Sequence, residues 1–284
     1  VSAGSAAGAL GREAYCLFRG QELILGADGR LLFDGPVPEG LADWAIGRRD
    51  FQGLGPAEGL RCSALALDEA AAAALEAAGH ARIGLRQALA GYDEASVACV
   101  LRASALLGWL EVAKFCGACG GELRDAGDGG ATGDAGDAVG RKCASCGRIF
   151  FPRISPAVIV LVRKEGKALL AHNARFPAGR FGLLAGYVEA GESLEEAAVR
   201  EVREEAGIAI RDIRYVKSQS WPFPDSLMVA FEAEWESGEA RPDGVEIAEL
   251  RWCGPGELPD IPPPGSVARF LIDRFAAEPR GGPV

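Results

Sequence analysis

No run of about 18 apolar residues occurs in the 284-residue chain, so no membrane span is expected. The N-terminal stretch VSAGSAAGALGREAY lacks a charged segment followed by an apolar core, and reads as a loose terminus rather than a signal peptide. Positive charge is in short supply: 30 Lys plus Arg stand against 40 Asp plus Glu, a formal net charge of −10. An acidic surface repels nucleic acid at long range, which argues against a broad DNA-binding face. It repels phosphate as well, so a phosphate-bearing substrate needs local cations, either bound metal or nearby Arg and Lys. Arg153, Arg163, Lys164, Lys167, Arg175 and Arg180 are available in one segment, although each taken singly reads as a solvated surface charge. With no secretory signal, the eight cysteines point to reduced thiols and a cytoplasmic setting. Cys16, Cys62, Cys99 and Cys253 stand singly and read as small buried hydrophobes.

The length is comfortable for two domains. Residues 1–112 read as an N-terminal α/β domain. Within it, Glu22 to Phe33 forms two short strands around an Asp28–Gly29 turn, Asp68 caps a helix that Gly79 stops, and 95–111 is a second helix. Residues 113–152 form a small cysteine module in which Gly120–Gly140, rich in Gly, Asp and Ala, is a flexible loop. From 153 to 284 the strand AVIVLV, its partner KALLAHNA, and three alternating segments (IRDIRYVKSQSW, SLMVAFEAEW, AELRWC) surround one strongly signalled helix. Ser266 caps a last helix to about Ala277. This pattern predicts an α/β fold, an α/β/α sandwich around a mixed sheet.

Cys116-x2-Cys119 and Cys143-x2-Cys146 are separated by 23 residues. Two residues between cysteines let both thiolates turn onto one ion, and two such knuckles complete a tetrahedral four-sulfur shell that suits Zn²⁺. Four thiolates leave no open position, so the zinc is structural. The competing reading is two redox-active or incidental pairs.

The chemistry lies in residues 186–208, GYVEAGESLEEAAVREVREEAGI. Ser193 and Glu196 form a capping box that starts a helix at Leu194, and Gly207 is placed to end it. Glu201, Glu204 and Glu205 fall at i, i+3 and i+4 and share one face, with Val199, Val202 and Ala206 opposite. Glu192 can fold back toward them, and Arg200 can hold a glutamate by a bidentate pair. Crowded carboxylates are tolerable around divalent cations, and hard oxygen ligands suit Mg²⁺ or Mn²⁺. Three glutamates alone would read as a solvated face with pairs such as Glu196–Arg200.

The fuller pattern decides otherwise. Gly186, Glu192, Arg200, Glu201, Val202, Glu204, Glu205, Gly207 and Ile208 resemble the Nudix box, G-x5-E-x7-R-E-U-x-E-E-x-G-U, at every defined position. Downstream, SQSWPFPDS at 218–226 resembles the SQPWPFPxS array of the NADH pyrophosphatase branch of Nudix hydrolases. Ser220 stands where that branch usually has Pro, which is expected to loosen the turn slightly. A four-cysteine ribbon before the Nudix domain is also typical of the branch, while likeness in the first 112 residues rests mostly on LRQAL at 85–89.

The resemblance implies hydrolysis of the diphosphate of NADH (and NAD⁺) to nicotinamide mononucleotide and AMP, and removal of NAD caps from RNA 5′ ends. It implies metal held by Glu201, Glu204 or Glu205 and by a later glutamate, Glu246, with Glu249 as a nearby competitor. Glu204 or Glu205 orients or deprotonates the attacking water. Substrate contacts are implied for Gln219, Ser220, Trp221, Pro222, Phe223, Pro224, Asp225 and Ser226, and for Arg86, Phe151, Ala185 and Ala268. Tyr187 matches a position implicated in stacking on nicotinamide, and the family acts as a homodimer. By residue chemistry alone, Pro222 and Pro224 stiffen the loop, and Trp221 and Phe223 offer rings for a flat base or fill a core. Two alternatives stand beside this reading: a Nudix hydrolase for ADP-ribose or a diadenosine polyphosphate, and a non-catalytic zinc-ribbon binding module.

Overall fold

A computed structural model describes residues 12–126 and 140–278. The extreme N-terminus and most of the Gly/Asp/Ala stretch, expected as loose chain, lie outside the described residues. The chain divides into two compact units, Val1–Arg153 and Ile154–Val284. The expected boundary at 112/113 falls inside the first unit.

The first unit begins with strands β1 (Arg12–Arg19), β2 (Glu22–Ile24) and β3 (Phe33–Asp34), then helix α1 (Glu39–Ala42) and strands β4 (Ala45–Gln52) and β5 (Leu60–Leu67). Helix α2 (Glu69–Ala77), strand β6 (Arg82–Gly84) and helices α3 (Leu85–Ala88) and α4 (Glu94–Val112) follow. The sheet order is β4-β5-β1-β2-β6, with β3 also on β1. The Asp28–Gly29 turn is present, with Gly29 at φ 79°. Its two strands do not pair with each other as a hairpin, however. β2 takes Leu17–Arg19 of β1 and β3 takes Ala14 and Tyr15, so both lie along β1. Asp68 caps α2 through the Ala71 amide at 2.8 Å. α4 is long and apolar enough to cross a membrane by length and composition. It packs on β4, β5 and β1 and buries Cys99, Val100, Leu101, Ala103, Leu106, Leu107 and Trp109 there.

The cysteine module is a three-stranded antiparallel sheet of β7 (Leu123–Asp125), β8 (Arg141–Cys143) and β9 (Ile149–Phe150). β7 corrects the expectation of a loop from Gly120 onward. Leu123 is buried against Cys116 and Cys143, and that one apolar anchor is enough to pin three residues onto β8.

The second unit holds β10 (Ser155–Lys164), β11 (Lys167–Asn173), β12 (Leu184–Tyr187), α5 (Leu194–Ala206), β13 (Ala209–Trp221), β14 (Ser226–Ser237), β15 (Ile247–Cys253) and α6 (Val267–Ala276). The sheet runs β13-β14-β10-β11-β15, with β12 also on β10. It is mixed: β10 and β14 are parallel and the other pairs antiparallel. β10 has no polar residue to turn outward between Ala157 and Val162, because both its faces are covered. Val158, Val160 and Val162 pack toward α5 with Ala197, Ala198 and Val202. Ile159 and Leu161 pack toward α6 with Leu271, Ile272 and Phe275. This is the expected α/β/α sandwich.

α5 starts and stops where the caps demand. Ser193 Oγ accepts from the Glu196 amide at 3.2 Å, Glu196 accepts from the Ser193 amide at 2.8 Å, and Gly207 is left-handed at φ 71°. Ser193→Ala should destabilise the second unit by about 1 kcal/mol. A urea midpoint that falls with an unchanged slope would show it; an unmoved midpoint would mean that the cap contributes nothing.

Candidate active site

The helix face is held by β12, which runs beside it. The Ala185 amide donates to Glu205 Oε2 at 3.1 Å, and the Tyr187 carbonyl accepts from Arg200 Nη2 at 2.8 Å. Between them Gly186 has no room for a side chain, since a Cβ would lie 2.0 Å from the Glu201 carboxylate. The box therefore needs glycine here for close approach of a carboxylate, not for a turn.

Arg200 is the cationic hub. Its Nε donates to Glu192 at 2.6 Å, its Nη1 to Glu201 at 2.8 Å and Glu204 at 3.2 Å, and its Nη2 to Glu192 at 3.0 Å. Hydrogen bonds from Arg200 hold Glu192 below the usual carboxylate range. The expectation that Glu192 folds back toward the cluster is met through this guanidinium.

The three helix carboxylates share a side of α5 but not an environment. The Glu205 residue is 6% exposed, whereas the side chain of Glu204 is 61% exposed. Burial pushes Glu205 up to about 8, partly offset by the Ala185 amide and reinforced by the charges of Glu201, Glu246 and Asp243. Burial also raises Glu201, against the pull of Arg200 and with the push of Glu204 and Glu246. Glu246 thus lies in the field of the buried Glu205 and the half-buried Glu201. Its competitor Glu249 instead pairs with Arg251 at 2.6 Å. Asp243, which sequence reasoning missed, holds the turn that carries Glu246. Its carboxylate accepts from the amides of Val245 at 3.2 Å, Glu246 at 3.2 Å and Ile247 at 2.8 Å. The signal was the Asp-Gly pair in RPDGVEI, an Asx turn by chemistry.

Four carboxylates in one field, one of them buried with a raised proton affinity, are a donor set for a divalent cation, whose charge would relieve the repulsion. Glu201, Glu205 and Glu246 act on one another's charge without their oxygens closing into a ligand cluster as the ribbon sulfurs do, so a cation would draw them together, with Glu204 at the rim. The cations expected in the preceding segment do not converge here. Arg163 pairs with Glu278, Lys164 Nζ stands 3.6 Å over the Trp235 ring, and Arg180 pairs with Asp260 at 2.9 Å. Arg153, Lys167 and Arg175 are exposed.

The aromatic array is linked to the box through one contact. Tyr187, 52% exposed, brings its hydroxyl to 3.1 Å from Ser226 Oγ, and Ser226 opens β14. Trp221 and Phe223 are half-buried with ring centroids 4.9 Å apart, Pro222 is buried and Pro224 exposed, and Asp225 accepts from the Ser155 amide through its carbonyl. The Phe223–Pro224 peptide is cis. Ser220 corrects an expectation. It lies within β13, paired with Leu227, so replacing Pro there does not loosen the turn, which begins at Pro222. Gln219 clamps the loop before α6, donating to the Gly265 carbonyl and accepting from the Val267 amide, both at 2.7 Å. Ala268 packs half-buried just beyond that clamp. Arg86 in α3 and the exposed Phe151 belong to the first unit.

The four ribbon sulfurs lie within 4.8 Å of one another, with Cys116–Cys146 at 3.7 Å and Cys119–Cys143 at 3.5 Å. Metal–sulfur bonds of about 2.3 Å in a tetrahedron imply edges of roughly 3.8 Å, so a single ion fits without rearrangement. The Ala118 and Cys146 amides point at Cys116 and Cys143 sulfurs at 3.4 Å, as a thiolate site requires.

Residues 152–271 match the NUDIX domain. Among curated relatives, NAD-capped RNA hydrolase NudC of Chromobacterium violaceum is 38% identical over 260 residues, 92% of this chain and 90% of the relative. The NudC of Photobacterium profundum is 43% identical over 189 residues, 66% of this chain and 68% of the relative. That of Pseudomonas aeruginosa (strain LESB58) is 39% identical over 230 residues, 81% of this chain and 78% of the relative.

Two outcomes are expected. Gly186→Ala forces the mobile end of Glu201 aside without disturbing backbone, so turnover should fall by roughly 10²-fold with the fold intact by circular dichroism. Full turnover would show that Glu201 need not sit there. Without added divalent cation, Glu205 holds its proton more tightly folded than unfolded, where 4.5 is ordinary. Its contribution to stability is therefore full below that value and lost as pH rises through about 8. The urea midpoint of the wild type should fall relative to Glu205→Gln between about pH 5 and pH 8, and parallel curves would contradict the assignment.

Proposed function

The chain belongs to the Nudix hydrolases, in the NAD-capped RNA hydrolase family, and on that premise we propose that it hydrolyses the diphosphate of NADH and NAD⁺, yielding nicotinamide mononucleotide and AMP. The observation that carries this reading is Arg200 joining Glu192, Glu201 and Glu204 to the backbone of Tyr187, whose exposed ring is hydrogen-bonded to the first residue after the aromatic turn. The carboxylates suit Mg²⁺ or Mn²⁺, which when bound lowers the pKa of a water and offsets diphosphate charge. Arg200 keeps Glu192 ionised and orients both Glu192 and Glu201. Glu205, buried and fixed by the Ala185 amide, is better suited than the exposed Glu204 to accept and retain the water's proton. Tyr187 and the Trp221–Phe223 pair offer flat apolar faces for the nicotinamide and adenine rings.

The same chemistry would release an NAD cap from RNA, as the relatives' names describe for them. A 5′ end enters one pocket and does not need the broad basic surface that this acidic chain lacks. Zn²⁺ fits the ribbon of residues 113–152, and four metal-binding thiolates suit a reducing cytoplasm. We place the enzyme there, as a homodimer.

In a panel of NADH, NAD⁺, ADP-ribose, a diadenosine polyphosphate and NAD-capped RNA with Mg²⁺ or Mn²⁺, NADH or the capped RNA should show the highest kcat/KM. Preference for ADP-ribose would reassign the substrate, and no metal-dependent hydrolysis at all would leave a binding module. Glu205→Gln should lower kcat by roughly 10²- to 10⁴-fold with zinc content unchanged. Near-normal turnover would remove Glu205 from the chemistry.

A further inference from the structure

Cys16, Cys62 and Cys99, far apart in the chain, are buried as expected and are also neighbours in the first unit. Cys16 lies on β1, Cys62 on the adjacent β5, and Cys99 on α4, which packs over them. The Cys62 and Cys99 sulfurs are 3.1 Å apart, closer than the metal-site pairs of the ribbon at 3.5 and 3.7 Å. A bonded pair needs about 2.05 Å, so an approach of about 1 Å joins them. Both residues are almost completely buried, at 2% and 1% exposure. The sulfur of Cys62 points to Cys99 on α4, on the face of β5 opposite Arg61 and Ser63.

Cys99 has a cation beside it. Arg102, one helical turn on, lies with its guanidinium 5.7 Å from the Phe51 ring centre, and its buried Nε makes no hydrogen bond. The hydrogen bond shared with Cys62 draws Cys99 below the ordinary thiol range, against burial and the charge of Asp93 and with a smaller pull from Arg102, while the same contact and burial hold Cys62 above it. The two sulfurs therefore face each other between β5 and α4.

We propose that Cys62 and Cys99 form an oxidation site, at which hydrogen peroxide converts the pair to an intramolecular disulfide between β5 and α4. One sulfur of the pair, as its thiolate, takes one peroxide oxygen, the O–O bond breaks, and water leaves, giving a sulfenic acid. The other thiol loses its proton and attacks that sulfur. The S–O bond breaks, and the departing hydroxide takes that proton. Two thiols and one hydrogen peroxide yield one disulfide and two waters. The site is independent of the second unit and of the reaction assigned to it.

The test uses the full-length, zinc-loaded protein exposed to graded hydrogen peroxide, then unfolded, alkylated and digested. A Cys62–Cys99 cross-linked peptide should appear, two hydrogens lighter than the reduced pair and reversed by dithiothreitol, at doses that leave zinc bound. In Cys99→Ala, which keeps a small apolar group at a buried position, Cys62 should instead be trapped as sulfenic acid by dimedone. The proposal is overturned if both thiols remain alkylatable at doses that release the ribbon's zinc, or if Cys62 joins Cys16 instead. The wild-type peptide map decides this whether or not the variant folds.

Discussion

A single guanidinium organises the acidic side of the second unit. Arg200 reaches the loop through Glu192, its own helix through Glu201 and Glu204, and strand β12 through the Tyr187 carbonyl. Without a cation at that point, three carboxylates on adjoining elements would repel one another, and loop, helix and strand would have reason to separate. Arg suits this hub better than Lys because its fork presents several donors in fixed directions, so the ion pairs also set geometry.

The hub leaves one carboxylate aside. No hydrogen bond from Arg200 reaches Glu205, which is buried on the sheet side of α5 and receives one backbone amide. Such burial is costly to an ionised group unless an opposite charge arrives. The fold sustains it because α5 is anchored elsewhere, through Val202, Ala197 and Ala198 against the valines of β10. Packing along the same face of the helix thus holds Glu205 against the sheet despite the electrostatic cost, an arrangement suited to binding cations rather than to maximal stability.

Much of this was legible in the sequence, and for identifiable reasons. Caps are local, so Ser193, Glu196 and Gly207 marked both ends of α5, and Ser266 marked the start of α6. The two-residue cysteine spacing is also local, and the four sulfurs meet as expected. What was not legible depends on neighbours remote in the chain. The spacing of Glu204 and Glu205 made them equivalent, yet the sheet buries one and not the other. Ser220 looked like a turn residue until its pairing with Leu227 put it in a strand. The segment after Glu22 looked like a hairpin because a turn signal says nothing about which strand waits beside it. Gln219 was read as a substrate contact on resemblance, and both ends of its amide turn out to be engaged by the protein itself.

That amide has a wider consequence. With one oxygen and one nitrogen set against the Gly265 carbonyl and the Val267 amide, it behaves like an additional peptide unit, so the edge of the sheet extends through a side chain to the loop that begins the last helix. Helix ends ordinarily fray, because their first amides lack partners. Here one of those amides is held by a strand, and opening the first turn of α6 is coupled to loosening β13 and the aromatic turn at its end. A ligand that stiffened that turn would therefore quieten the far helix as well, without touching it.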